Sequence, residues 1–283
     1  MKFGTFITSL RPDRIAANIH KAEEAGFESA WIGEHLILPV KYESKYPYSP
    51  DGRFPAPPEV PFHDPMLALA YAAAITSRIR LATGIFVVPL RNAIATAKAV
   101  ASLDVLSNGR VIFGIGIGWF AEEFAAVGAD FKDRALRTRE YIEAMKSLWT
   151  EDDPTYRGKT ITVEGVRFNP KPVQKPHPPI VVGGTSELAI KRTVRYGDGW
   201  YAVARSMDEA RGLIAKLKAQ QRAAGRTRPV EITLSLRTGH PLTLDEVRQL
   251  GELGVDRTLA GLPLRALGDD DITRFRDDIM AKL

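Results

Sequence analysis

The chain contains no cysteine among its 283 residues. This absence excludes disulfide bonds, zinc sites with thiolate ligands and a cysteine nucleophile. It also fits a reducing compartment, and we expect the protein in the cytoplasm. No continuous apolar run approaches the roughly 20 residues of a membrane-spanning helix, and residues 1–7 are typical of a strand rather than of a leader peptide. We therefore expect no membrane partner.

Charge of one sign is not concentrated anywhere in the chain. Lysine and arginine number 39 against 34 aspartates and glutamates, which gives a net charge of +5, and these residues are scattered. We expect no nucleic-acid partner, because such partners select clustered positive charge. A small anionic molecule is a sufficient explanation of the mild basicity. The hydrophobic content of 45% indicates a substantial buried core.

Short strands and amphipathic helices alternate along the whole chain. The first helix, for example, has apolar residues at Ile15, Ile19, Ala22 and Ala25 and is closed by Gly26. Similar patterns predict helices at residues 65–75, 92–106, 186–196 and 243–250 and at the C-terminus. They also predict a long helix that ends at residue 149 and another that ends near residue 224. The strands between them are predicted at residues 2–8, 29–32, 79–88, 110–115, 180–182, 199–202, 230–236 and 255–259. Eight such units are the number that closes a barrel.

A doubly wound open sheet uses the same alternation and is the rival fold. It usually has a Gly-rich phosphate-binding motif after its first strand, and residues 9–12 here read Ser-Leu-Arg-Pro. The sequence therefore favours an α/β fold of the (β/α)8 TIM-barrel type, formed as one domain by residues 1–283. Two insertions interrupt it, at about residues 36–62 after strand two and at about 153–178 before strand five. Residues 159–168 in the second insertion alternate like a short hairpin.

Active sites of such barrels lie where the strands end. Strand two ends in Glu34 and His35. A histidine can transfer a proton near neutral pH, and a carboxylate beside it can orient it or bind a ligand. The alternative is that His35 binds a loop carbonyl and Glu34 forms a local salt bridge.

Glycines mark the ends of three further strands. Gly84 lies late in strand three, where it indicates a bulge or a close backbone approach, or else a bend that the barrel requires. In strand four, Gly116 and Gly118 flank Ile117, so that a flat ligand could lie against the backbone; tight packing inside the barrel is the alternative.

The fifth strand ends in glycines directly before a helix. Gly183, Gly184 and Thr185 precede Ser186, and the amides at a helix start can bind an anion. The alternative is an ordinary turn capped by Ser186. No metal site is predicted, because the remaining histidines lack the spacing of metal ligands and the His-x-His motif of metal-dependent barrel hydrolases is absent.

An ordered set of short segments runs through roughly the first 205 residues. It comprises Ala-Glu-Glu-Ala-Gly-Phe (22–27), Trp-Ile-Gly-Glu-His (31–35), Asp-Pro to Ala-Ala (64–73), Thr-Ser-Arg-Ile-Arg-Leu-Ala-Thr-Gly (76–84), Leu-Asp-Val-Leu-Ser-Asn-Gly-Arg (103–110), Gly-Ile-Gly-Ile-Gly-Trp (114–119), Glu-Glu-Phe (122–124), Pro-Pro-Ile-Val-Val-Gly-Gly (178–184) and Gly-Asp-Gly-Trp (197–200). The set resembles the luciferase-like superfamily and, within it, the branch that uses the deazaflavin coenzyme F420. The units after residue 205 match only in layout.

The resemblance implies a barrel whose mouth binds a flavin or deazaflavin, usually in a homodimer. It places His35 at the position of the catalytic base and the bond between Gly84 and Ile85 where a non-proline cis peptide often supports the ring. The coenzyme contacts that it implies are Glu34, Gly84, Ile85, Gly116, Ile117 and Gly118 near the ring and Gly183, Gly184 and Thr185 near the phosphate.

Two positions depart from the pattern of these relatives. Trp119 stands where the sugar-phosphate dehydrogenases have a catalytic glutamate, so their substrate cannot be transferred to this chain. Ala93 stands where relatives often have proline.

The expected function is a hydride transfer between F420 and an unidentified small organic substrate, with His35 supplying or accepting the proton. An FMN-dependent monooxygenase on the same barrel and a coenzyme-binding barrel without turnover are the alternatives.

Overall fold

A computed structural model describes residues 1–7, 14–238, 240–260 and 269–283. Its strands, in chain order, are β1 (Lys2–Phe6), β2 (Ser29–Ile32), β3 (Arg80–Thr83), β4 (Phe86–Val87), β5 (Val111–Gly116), β6 (Tyr156–Arg157), β7 (Thr162–Val163), β8 (Ile180–Gly183), β9 (Gly199–Ala204), β10 (Glu231–Leu236) and β11 (Arg257–Ala260). The predicted end of the first strand, residue 8, lies outside the described residues.

Eight of these strands form a closed parallel barrel. Their order is β1-β2-β3-β5-β8-β9-β10-β11, and β11 pairs with β1 to complete the circle. The pairing of Lys2 with Arg257 fixes the register at that closure. The predicted (β/α)8 barrel is therefore confirmed, and the doubly wound open sheet is excluded.

Helices lie between the strands at α1 (Ile15–Glu24), α2 (Pro65–Ile75), α3 (Ala93–Leu106), α4 (Ala121–Ala126), α5 (Arg134–Thr150), α6 (Glu187–Tyr196), α7 (Met207–Ala223), α8 (Leu244–Glu252) and α9 (Asp269–Asp278). Local capping explains several starts. Asp64 accepts hydrogen bonds from the first amides of α2, and Asn92 does the same for α3. None of the helices within the described ranges is long and apolar enough to cross a membrane.

Large side chains fill the inside of the barrel below its mouth. Phe6, Trp31, Ile112, Tyr201 and Leu259 pack together there and are almost fully buried. A second, larger core joins the outer faces of the strands to the helices. Because the interior is packed, the open space for a ligand lies at the carboxyl ends of the strands.

The structure corrects two predicted boundaries. The strand predicted at 79–88 is divided into β3 and β4 at the peptide bond between Gly84 and Ile85, which is cis as predicted. The hairpin predicted at 159–168 begins earlier, because β6 pairs with β7 and the turn lies at residues 158–161. Glu140 determines this position, since its carboxylate accepts hydrogen bonds from the amide and hydroxyl of Thr160, both at 2.7 Å.

Candidate functional site

A cavity of about 620 Å³ opens at the carboxyl ends of the strands. Its volume lies within the usual range of small-molecule sites. Loops after β2, β3, β5 and β8 line it together with β9 and the first insertion. The structure brings all ten predicted site residues to this cavity: Glu34, His35, Gly84, Ile85, Gly116, Ile117, Gly118, Gly183, Gly184 and Thr185.

His35 is held in place by a carboxylate that the sequence analysis did not include in the site. Its Nδ1 lies 3.2 Å from Oε2 of Glu123, at the N-terminal part of α4. The other oxygen of Glu123 accepts a hydrogen bond of 2.5 Å from the amide of Leu36. Because an ionised carboxylate only accepts hydrogen bonds, Nδ1 carries the hydrogen and Nε2 is left to exchange a proton.

Aromatic rings surround the imidazole of His35. Phe54 and Phe62 of the first insertion approach it edge-on, with ring centroids at 4.8 and 5.2 Å. Trp119 lies on another side at 6.1 Å and stacks on Phe120. Only 9% of the His35 side chain remains exposed, so its reactive nitrogen operates in a largely apolar enclosure.

Glu34 forms the local salt bridge that the sequence analysis gave as the alternative to a ligand contact. Its carboxylate accepts a hydrogen bond from the Val87 amide and pairs with Arg91, each at 2.6 Å, and Arg91 also contacts Asp64. Burial raises the pKa of Glu34 to about 7, although Arg91 and the Val87 amide oppose the rise. The carboxylate thereby anchors the loop after β3, while its contact with a coenzyme stays a prediction.

Gly116 of β5 and Gly183 of β8 leave room for the side chain of Ile85. A Cβ on Gly116 would lie 1.9 Å from Cδ1 of Ile85, and one on Gly183 would lie 2.7 Å from its Cγ2. Ile85, directly after the cis peptide, therefore packs against bare backbone on two strands. The close packing expected as the alternative is present, and it shapes the wall of the cavity.

The start of α6 forms one end of the cavity. Ser186 caps the helix through the Ala189 amide at 3.2 Å, and Gly184 adopts a φ of +117°. The Gly184 amide itself is bound to the carbonyl of Tyr201, so an anion would meet Thr185 and the first-turn amides of the helix, which have no partner within it.

Two arginines stand at this same end. Arg134 of α5 lies 3.7 Å over the Phe131 ring and donates to the Phe131 carbonyl, while its Nε is buried without a hydrogen-bond partner. Arg192 of α6 also lines the cavity. Burial lowers the pKa of both groups, and the charge of Arg134 adds to the effect at Arg192. They form a positive end to an otherwise apolar space.

The sequence analysis missed four charged residues of this region: Glu123, Arg134, Arg192 and Arg237. Glu123 lies within a segment that carried the family resemblance, but its spacing of 88 residues from His35 gave no sign of contact. The three arginines lie on helices or directly after a strand, at positions where the sequence pattern is that of exposed residues. Their sequence context therefore did not indicate a site.

The chain belongs to the luciferase-like monooxygenase family, whose profile matches residues 1–248. Members of this family are oxidoreductases that use F420 or FMN.

Several proteins are similar to the chain in sequence. An uncharacterised protein of Mycobacterium tuberculosis (strain ATCC 25618 / H37Rv) is 36% identical over 100% of this chain and 99% of its own length. An F420-dependent glucose-6-phosphate dehydrogenase of Amycolatopsis mediterranei (strain U-32) is 31% identical over 81% of this chain and 66% of its own length. An FMNH(2)-dependent dimethylsulfone monooxygenase of Pseudomonas putida is 30% identical over 54% of this chain and 42% of its own length.

Solved structures share the fold at lower identity. The coenzyme F420 dependent tetrahydromethanopterin reductase from Methanopyrus kandleri superposes with a TM-score of 0.78 at 18% identity, covering 99% of both chains. The monooxygenase RslO1 from Streptomyces bottropensis gives 0.76 at 22% identity and covers 100% of this chain and 99% of its own.

Proposed function

We propose that the protein is an F420-dependent oxidoreductase that transfers a hydride between the deazaflavin and a small organic substrate. The observation that carries the choice of coenzyme is the pair Arg134 and Arg192 at the α6 end of the cavity. Within the described residues, neither guanidinium forms an ion pair with a carboxylate.

Two features of the cavity support this choice of coenzyme. A single phosphate, as in FMN, needs little more than the start of α6 with the Thr185 hydroxyl. F420 continues beyond its phosphate into a chain of carboxylates, and two arginines beside that helix start, which form no ion pair within the described residues, match the additional charges. The apolar part of the cavity, where Ile85 forms part of the wall, suits a flat ring.

The residues of this chain supply binding, orientation and proton transfer. When bound, the deazaflavin accepts or donates a hydride at C5. In the reductive direction the substrate gains that hydride and one proton, and Nε2 of His35 is the group placed to give the proton. Glu123 holds the imidazole, and the surrounding rings exclude water from it.

A titration with each coenzyme tests this proposal. We expect F420 to bind at least about tenfold more tightly than FMN, a difference of roughly 1.4 kcal/mol, as followed by fluorescence and absorbance. Arg134→Met and Arg192→Met should each reduce this preference, whereas Arg228→Met, a mostly exposed arginine paired with Asp198, should not. Equal or tighter binding of FMN would refute the proposal.

An FMN-dependent monooxygenase is the second candidate, and the Pseudomonas putida relative supports it. Oxygen consumption separates the two functions. Turnover that consumes oxygen with FMNH2 favours the monooxygenase, and anaerobic reduction or oxidation of a substrate with F420 favours the dehydrogenase.

A further inference from the structure

Arg237 is a third arginine of the cavity, and it lies away from the other two. It directly follows β10, and its backbone amide donates to the Ala204 carbonyl at 2.7 Å, so it continues the barrel ladder at the mouth. β9 separates this position from β8, whose end carries the predicted phosphate contacts. Arg237 therefore stands beside the part of the cavity that the coenzyme contacts leave open.

The guanidinium of Arg237 has unused hydrogen-bonding capacity. Its Nε is buried without a partner, and within the described ranges no carboxylate forms an ion pair with it. The nearby hydroxyl groups belong to Tyr48 and Tyr201, and Tyr201 shares a 3.1 Å hydrogen bond with Ser235. Burial raises the pKa of Tyr48 to about 12 and that of Tyr201 further, against the influence of Arg237. Both tyrosines therefore stay neutral, and neither supplies the negative charge that would pair with Arg237.

The acidic groups near the cavity are already committed elsewhere. Glu34 is paired with Arg91, and Glu123 is bound to His35 and the Leu36 amide. Arg237 is partly exposed at the cavity, and its buried Nε lacks a partner among the described residues, so a negatively charged group of a ligand would supply the acceptor that these residues do not. Its planar guanidinium suits a bidentate contact with a carboxylate.

A series of aromatic contacts runs from Tyr48, which lines the cavity together with Arg237, to the proton-transfer site. Tyr48 contacts Tyr46 with ring centroids at 5.5 Å, and Tyr46 contacts Trp119 at 5.2 Å. Trp119 in turn contacts His35 at 6.1 Å. Successive rings lie at steep angles to one another, between 63° and 85°, so they offer both edges and faces to an apolar body in the cavity that Arg237 and His35 also line.

We propose that the substrate is a small carboxylate with a flat, apolar body, and that Arg237 binds its carboxylate while the body lies along Tyr48, Tyr46 and Trp119. This assignment rests on the proposed function, because it takes the α6 end of the cavity to be occupied by the coenzyme. Arg237 then determines which substrates are accepted.

The test compares acids with their uncharged amides. Benzoate, 3-phenylpropionate and cinnamate, each paired with its amide, are titrated by calorimetry into the wild-type protein in the presence and absence of F420. We expect at least one acid to bind about tenfold or more tightly than its amide, and Arg237→Met to abolish this preference. Arg237→Lys should retain part of it. Arg205→Met, an exposed arginine paired with Glu209, should keep all of it, and melting temperatures check that each variant is folded.

Three results would overturn the inference. The first is a wild-type protein that binds none of the three acids at least tenfold more tightly than its amide. The second is an acid preference that survives in Arg237→Met. The third is a loss of F420 affinity of tenfold or more in Arg237→Met, which would make Arg237 a coenzyme contact. A failure of F420 to bind the wild-type protein would refute the proposed function instead, and the acid-against-amide comparison without coenzyme would still be measured.

Discussion

The two ends of the barrel hold arginines in opposite environments. At the amino end, Arg257 begins β11, has no exposed side-chain surface, and donates to both oxygens of Glu28 as well as to Glu231 and Thr233. At the carboxyl end, Arg237 follows the adjacent strand and has a buried Nε without a partner. The guanidinium of Arg257 is thus bound by two carboxylates, whereas no carboxylate among the described residues pairs with that of Arg237.

The difference separates residues that hold the barrel together from residues that serve a ligand. A ligand could reach Arg257 only by displacing two carboxylates, so its role is structural. Within the described residues, the cationic groups of the mouth, Arg134, Arg192 and Arg237, form no ion pair with a carboxylate, so we expect them to contribute less to folding than Arg257 does. If this division is correct, substitutions at one end should change stability and substitutions at the other should change binding or turnover.

The largest effect is expected for His35→Ala. A positioned proton-transfer group contributes about a hundredfold to ten-thousandfold to a rate, so turnover should fall at least a hundredfold while F420 affinity changes only a few-fold. Steady-state kinetics and coenzyme titration measure both. His240→Ala, at an exposed histidine, is the control. Unchanged turnover would make His35 structural, and lost coenzyme binding would make it a coenzyme contact.

Arg257→Met should lower the free energy of unfolding by about 3 kcal/mol, because removing one partner of a buried ion pair leaves uncompensated charge. The folded variant should bind F420 as the wild type does. Urea denaturation followed by circular dichroism gives the stability, with Arg205→Met as a control of exposed charge. A stable Arg257 variant with impaired binding would contradict the division between the two ends.

Glu123→Gln should reduce turnover by about ten- to a hundredfold, since a hydrogen bond to a charged group is worth roughly 1.5–3 kcal/mol. The amide can still accept the Leu36 hydrogen bond, but its NH2 group would then face Nδ1 of His35 and favour the wrong tautomer. The kinetic constants should show a lower kcat with little change in coenzyme affinity. Glu122→Gln is the matched control for charge on the same helix. Equal losses in both variants would exclude a positioning role for Glu123.

Acid should weaken the amino end of the barrel. Burial by itself would raise the pKa of Glu28 and of Glu231. The hydrogen bonds and positive charge of Arg257 have the larger opposite effect, so both pKa values lie below their ordinary value. Their stabilising contribution is therefore complete above the unfolded pKa of about 4.5 and is lost as the pH falls through the lower folded values. Urea unfolding at pH 6 and pH 4 should show this loss in the wild type and a smaller one in Arg257→Met. An equal loss in both proteins would place the acid sensitivity elsewhere.

The smallest effect is expected for the stability of Arg237→Met. Because the guanidinium has no ion pair to lose among the residues that the structure describes, the free energy of unfolding should stay within about 0.5 kcal/mol of the wild type. The same urea denaturation measures it. A loss comparable to that of Arg257→Met would show that the mouth also depends on its arginines for folding.

Local signals were sufficient for many elements of this fold. The bounds of α2 agree with the prediction because Asp64 caps the helix and Pro65 suits its first position, and β2 agrees because its apolar run is short and well bounded. The pattern of residues 79–88 indicated a bulge or bend at Gly84 but did not predict that the strand would divide there, since both parts are equally apolar. Only the resemblance to a known family indicated the cis bond after Gly84.

The sequence by itself determined the alternation of strands and helices, the eightfold count and the ten predicted residues that reach the mouth. Capping and periodicity act between neighbours in the chain, so they can be recognised without a structure. Only the tertiary structure decided that Glu123 holds His35, that Glu34 pairs with Arg91, that Ile85 fills the space beside Gly116 and Gly183, and that no carboxylate among the described residues pairs with Arg237. These outcomes depend on which loops the closure of the barrel brings together and on how far it buries each charged group. Neither can be predicted from the local sequence, because both involve residues that are distant in the chain.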